Sequence, residues 1–168
     1  MRLTILAIIA SLALTSDSST LEPGRYTGTL TIRGNRQFEG PLVPSRHLAG
    51  RVFYHWCEDF LGISFKDTVA PELSMDFMTR VLPLRLGAYR TRPKAIFGET
   101  SVFPAAGDTT LSGFFQLLTP DWGFFPDSGS LWLSRMVGPE LEGRFSYSSP
   151  GVTLMGTFRA LKRSCSGS

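Results

Sequence analysis

His55, Trp56, Cys57, Glu58 and Asp59 place an imidazole, a thiol and two carboxylates in five consecutive positions. On a strand, where side chains alternate, His55, Cys57 and Asp59 share one face and Glu58 lies on the other. Such a set could hold zinc, or could pair a nucleophile with a base. A hydrolase-like reading gives the chemistry to His55 with Glu58 or Asp59. The competing reading is a strand end that passes into a polar turn. The spacing matches no established motif: the chain has no H-E-x-x-H, no G-x-S-x-G elbow, no phosphate-binding glycine loop and no dinucleotide fingerprint. His55, Glu58 and Asp59 therefore stand as weak catalytic candidates, and neither a metal site nor a cofactor is expected.

The other cysteine is Cys165. In an oxidising compartment it pairs with Cys57 and ties the C-terminal tail to the middle of the chain. Closing a loop of about a hundred residues is worth about 4–5 kcal/mol by the chain-entropy model. A disulfided Cys57 could act neither as nucleophile nor as metal ligand.

A second candidate site is made of aromatic and basic residues. Trp122, Phe124 and Phe125 lie between Pro120 and Pro126, where turn chemistry is expected. Exposed, this loop would mark a ligand mouth or a partner patch; folded inward, it would plug one end of a barrel. Charge is segregated along the chain. Glu58, Asp59, Asp67, Glu72 and Asp76 cluster in one stretch, and Arg80, Arg85, Arg90, Arg92 and Lys94 follow in another. The basic stretch could meet an anionic ligand or lipid headgroups, or could pair across strands with the acidic one. Ligand contacts are thus expected at Trp122, Phe124, Phe125, Arg85, Arg90 and Arg92.

The elements that must position these groups are strands. Tyr26, Gly28, Leu30 and Ile32 alternate with Thr27, Thr29 and Thr31, which is the pattern of a half-buried strand. Leu73, Met75 and Phe77 repeat it, as do Leu82, Leu84 and Leu86, with Pro83 demanding an edge or a bulge. Leu111, Gly113, Phe115 and Leu117 form another such face. The C-terminal third is clearest. A strand over 130–137, a Gly138-Pro139 turn, a face of Leu141, Gly143, Phe145 and Tyr147, a Ser148–Gly151 turn and a face of Val152, Leu154, Gly156, Phe158 and Ala160 follow in succession. Connections this short make neighbours antiparallel. Glycines recurring inside strands suit a strongly coiled sheet or a barrel. The best helix candidate, 71–80, opens with Pro71 and Glu72 but carries a competing period-two face. The expected fold is all-β: an antiparallel up-and-down meander of about 8–10 strands forming a barrel or strongly coiled sheet, with a two-sheet sandwich as the alternative.

The N-terminus has its own pattern. Met1-Arg2 precedes an uncharged, mostly apolar run from Leu3 to Leu14 and then Thr15-Ser16-Asp17-Ser18-Ser19-Thr20. That is the layout of a secretory signal, with Ser11 and Ala13 as the small residues before the cleavage point. A helix of this run is about 18 Å long, short of the roughly 30 Å needed to span a bilayer. The expected organisation is a signal peptide over 1–13, a flexible mature N-terminus over 14–23, one domain over 24–163 and a tail over 164–168, in a secreted or periplasmic protein.

Composition sets the outer bounds. With 168 residues, 42% hydrophobic and 18% charged, the chain can bury one real core. Thirteen Phe exclude disorder. The formal charge is +3 and falls to +2 without Arg2, too weak for a nucleic-acid binder. The expected function is an exported, non-enzymatic barrel module that binds a small apolar or amphipathic ligand, or an envelope component. A hydrolase-like enzyme and a structural interaction domain are the alternatives. Oligomeric state and ligand identity are not legible in these residues.

Overall fold

Among the described residues, the apolar–polar alternation becomes ten β-strands in one sheet. The computed structural model describes residues 20–32, 46–57, 60–68, 74–80, 84–91, 112–118, 123–124 and 128–165. The strands are β1 (Arg25–Ile32), β2 (Arg46–Cys57), β3 (Phe60–Asp67), β4 (Ser74–Arg80), β5 (Gly87–Thr91), β6 (Ser112–Leu118), β7 (Gly123–Phe124), β8 (Ser128–Val137), β9 (Glu140–Ser149) and β10 (Val152–Lys162). Their order is β4-β3-β2-β1-β10-β9-β8-β5-β6-β7, and β6 also pairs with β4. The sheet therefore curls strongly and carries the ladder back to the strand on which the order began. One continuous ladder replaces the alternative of two stacked sheets.

Three expectations change in the structure. The helix candidate at 71–80 is the strand β4 over Ser74–Arg80, because Met75 and Phe77 are both fully buried on one face while Asp76 and Met78 point the other way. Leu84 to Leu86 is not a strand. The Tyr89 hydroxyl donates to the Arg85 carbonyl at 2.7 Å and accepts from the Arg85 N–H at 3.3 Å, so both backbone groups of Arg85 bond to a side chain and not to a neighbouring strand. The meander is also not purely up-and-down. β5 and β6 pair in parallel at Arg90 with Ser112 and Thr91 with Gly113, and β10 runs parallel to β2 at Leu161 with Phe53 and Lys162 with Tyr54.

The C-terminal hairpins keep the expected faces. Leu141, Phe145 and Tyr147 of β9 and Val152, Leu154, Phe158 and Ala160 of β10 are buried. They join Tyr26, Leu30, Leu48, Val52, Tyr54, Ile63, Phe65, Phe77, Tyr89, Leu131 and Leu133 in one core. At its centre Phe65 meets Tyr26, Phe145 and Phe158 edge to face, with ring centroids 5.3, 5.3 and 5.4 Å away. This is the favoured geometry of aromatic pairs.

Two strand glycines make the curl fit these rings. Gly143 lies opposite Phe158, and Gly156 lies opposite both Phe145 and Gly28. A Cβ on Gly143 would stand 2.6 Å from Phe158 Cζ, and one on Gly156 would stand 2.5 Å from Phe145 Cζ. Each aromatic side chain thus occupies the space that a side chain on the neighbouring strand would need. Glycine is tolerated here because the ring covers it.

Polar groups close the ladder where strands end. Asp67, at the end of β3, turns inward and is 4% exposed. Its Oδ2 accepts from the Tyr26 hydroxyl at 3.1 Å and from the Ala49 N–H at 3.3 Å. A buried carboxylate requires such donors.

Candidate functional site

His55 and Cys57 lie on the outward face of β2, as alternation requires. His55 stacks on Phe60 at 5.5 Å between centroids. Gly62 sits directly opposite it, and a Cβ at that position would run into the imidazole. The imidazole is seated in an aromatic–glycine niche on the outer surface. Cys57 is bonded to Cys165, with the Cα atoms 6.0 Å apart. The disulfide removes the thiol from nucleophilic or ligand chemistry. Glu58 and Asp59 lie outside the described residues. Among the described residues, no group of three or more His, Cys, Asp or Glu side chains could hold a metal ion.

The disulfide corner completes the sheet where β1 begins. The Gly24 N–H donates to the Arg159 carbonyl at 2.6 Å, and the Val52 N–H donates to the Gly24 carbonyl at 2.9 Å. Before that point β10 meets β2 directly. The Arg163 N–H donates to the Tyr54 carbonyl at 2.8 Å. Its guanidinium lies over the Phe53 ring, 3.5 Å from the centroid.

Of the expected ligand contacts, Arg85, Arg90 and Phe124 fall among the described residues. Arg85 and Arg90 are exposed, Arg85 before β5 and Arg90 within it. Phe124 belongs to β7, where its backbone pairs with Leu117. Trp122, Phe125 and Arg92 lie outside the described residues. In the acidic stretch, Asp67 faces the interior, while Asp76 stands on β4 in register with Ser64 and Gln116.

Register creates a basic feature that the linear sequence conceals. Arg159 of β10 lies opposite Arg25 of β1, Arg25 opposite Arg51 of β2, and Arg51 opposite Lys66 of β3. All four are outward, because Phe158, Tyr26, Val52 and Phe65 beside them point inward. Adjacent strands are about 4.8 Å apart, so the row crosses four strands almost at right angles. Arg159 is neutralised: it contacts Glu140 Oε2 from Nε at 2.8 Å and Glu142 Oε1 at 3.6 Å. Glu142 is itself buried between Arg159 and Arg135, the latter at 3.2 Å. Arg25 reaches Glu22 only at 4.0 Å, with both side chains largely exposed, a pair of little strength. Arg51 and Lys66 are exposed and make no ion pair with a described acid.

A third outward feature is Trp132 on β8. It is 42% exposed, with the Arg144 guanidinium 5.6 Å from its centroid. Ser130 and Ser146, in register with each other, lie on the same face. Among the described residues no helix is long and apolar enough to cross a membrane. The chain matches no family model, no curated protein and no solved structure.

Proposed function

We propose that the protein is an exported, non-enzymatic β-barrel module that binds an envelope component on the outside of its sheet. The observation that carries this reading is the packed interior. Phe65, Phe145, Phe158 and Tyr26 meet ring to ring at the centre, and rings also cover Gly143 and Gly156. A small apolar ligand at that level would have to displace these rings, which favours the outer face over the lumen as the place of binding. Small barrels either fill with their own side chains or hold one small ligand, and the rings meeting at Phe65 support the first.

Export is supported by the apolar N-terminal run behind Arg2 and by the Cys57–Cys165 disulfide, a bond that persists in oxidising compartments. The non-enzymatic reading is supported by the surroundings of His55. Phe60 and Gly62 flank its ring, and the nearby sulfur is already oxidised.

The test is made on protein purified from the cells that produce it. Native mass spectrometry is expected to give a chain starting after Ala13 with both thiol hydrogens missing. The mature protein is expected to sediment with isolated cell envelopes. An intact Met1 in the functional form would overturn the export reading. A co-purified apolar molecule that survives desalting would overturn the outer-surface reading.

A further inference from the structure

We infer that the row Arg25–Arg51–Lys66, extended by Arg163 over Phe53, is a binding stripe for a linear acidic polysaccharide. The inference rests on the binding-module reading and names the ligand class.

The physical starting point is that the row works against the fold. Like charges placed directly opposite on neighbouring strands are destabilising. Arg25 with Arg51, and Arg51 with Lys66, are two such contacts in succession. A structural role would call for acids between these cations. The fold supplies such acids one strand away, where Glu140 and Glu142 hold Arg159. At Arg51 and Lys66 none of the described acids does so. Asp67, adjacent to Lys66, is turned inward onto Tyr26.

The chemistry points to a chain of anions. Three outward cations on three adjacent strands give one positive charge per strand spacing, about 4.8 Å. A polysaccharide with one carboxylate or sulfate per sugar presents negative charge at a comparable repeat. Arg163 holds its guanidinium over the ring of Phe53, two residues from Arg51 on the same face of β2. This keeps a fourth cation beside the row. The curl of the sheet makes the outer surface convex, so a flexible chain can follow the row across strands, whereas a flat bilayer would touch it only at its crest.

The test is a titration of the full mature chain by calorimetry or anisotropy. The probes are a size-defined heparin fraction and polygalacturonate. Neutral dextran, vesicles of phosphatidylglycerol and phosphatidylcholine, and a single-stranded oligonucleotide are run alongside. The two acidic polysaccharides are expected to bind at low salt and to weaken as salt rises. Arg51→Glu and Lys66→Glu are each expected to weaken binding about tenfold, the scale of one charge-assisted contact. Each is also expected to reduce the slope of log affinity against log salt by roughly 1. Arg144→Glu, an exposed arginine on β9 outside the row, is expected to bind as the parent does. Both row variants are expected to melt at or above the parent temperature, since Arg51→Glu makes two repulsive contacts attractive and Lys66→Glu makes one so. A merely structural row would melt lower.

No binding of either acidic polysaccharide, parental binding by Arg51→Glu/Lys66→Glu, or an equal loss in Arg144→Glu would overturn the stripe. So would tighter binding to the vesicles or the oligonucleotide than to either polysaccharide. Envelope sedimentation separates the two levels of the account. If the double variant sediments as the parent does, the stripe fails and the module stands. If the parent itself does not sediment, the module reading fails as well.

Discussion

The packed interior makes Gly156→Ala a demanding test. The added methyl would approach the Thr27 carbonyl oxygen, Phe145 Cζ at 2.5 Å and Gly28 Cα at 2.9 Å. Two of these three obstacles are backbone of the neighbouring strand and cannot rotate away. The third is a ring edge that is itself confined, because Phe145 packs edge to face on Phe65 at 5.3 Å and stacks on Tyr147 at 6.3 Å. Overpacking a core costs about 1–3 kcal/mol, and backbone obstacles place this case at about 2–3 kcal/mol. Replacing glycine also restricts the unfolded chain, a gain of about 0.4–1 kcal/mol that offsets part of the loss. In a domain of this size the net effect is a fall in Tm of roughly 4–10 °C. Urea denaturation followed by tryptophan fluorescence gives the free energy, and calorimetry gives Tm. The control is Gly138→Ala. Nothing lies within 4 Å of the new methyl there, so the cost is only left-handed strain at φ +56, about 1 kcal/mol. Gly156→Ala/Phe145→Leu is expected to recover part of the loss. A Gly156→Ala variant within about 0.5 kcal/mol of the parent, the range of an inconsequential surface change, would refute the claim that rings fill the barrel down to its glycines.

Other expectations follow from the same packing. Phe65→Ala, at the meeting point of three rings, is expected to lose about 3–5 kcal/mol in urea melts. Reducing the Cys57–Cys165 bond, whose cysteines are 108 residues apart, is expected to lower stability by about 4–5 kcal/mol on the chain-entropy model, measured as melts with and without reductant. Burial raises the Tyr147 hydroxyl well above its ordinary value, and raises Tyr54 and Tyr89 in the same direction. The unfolded chain ionises near pH 10 while these groups release their protons only at higher pH, so the folded state binds more protons there. Their stabilising contribution is intact below pH 10 and is lost as pH rises above it, most steeply through Tyr147, by up to about 1.4 kcal/mol per pH unit. Tyr147→Phe is expected to flatten that alkaline decline in stability-against-pH measurements.

The strand faces were legible because period two is a local property. Val152, Leu154, Phe158 and Ala160 declare their burial without reference to any partner strand. The pairing of Cys57 with Cys165 was legible from count and chemistry. What sequence could not supply was register. Arg25, Arg51, Lys66 and Arg159 are far apart in the chain, and only the pairing of β10, β1, β2 and β3 sets them side by side. The basic stretch from Arg80 to Lys94 was conspicuous in the sequence, yet Arg85 and Arg90 do not join that row. Leu84 and Leu86 show the opposite failure. Their alternation imitates a strand, but the hydroxyl of Tyr89, four residues on, takes the backbone groups of Arg85. The parallel contact of β5 with β6 was equally hidden, since local patterns carry no strand direction.

The most direct measurement of the central claim maps an acidic polysaccharide onto isotope-labelled protein by chemical-shift perturbation. The account predicts shifts at Arg25, Arg51, Lys66 and Arg163, on the outside of β1 to β3 and at the start of the tail. The ring resonances of Phe65, Phe145 and Phe158 are predicted to stay in place. Shifts centred on those three interior rings, with the outer row unmoved, would contradict it.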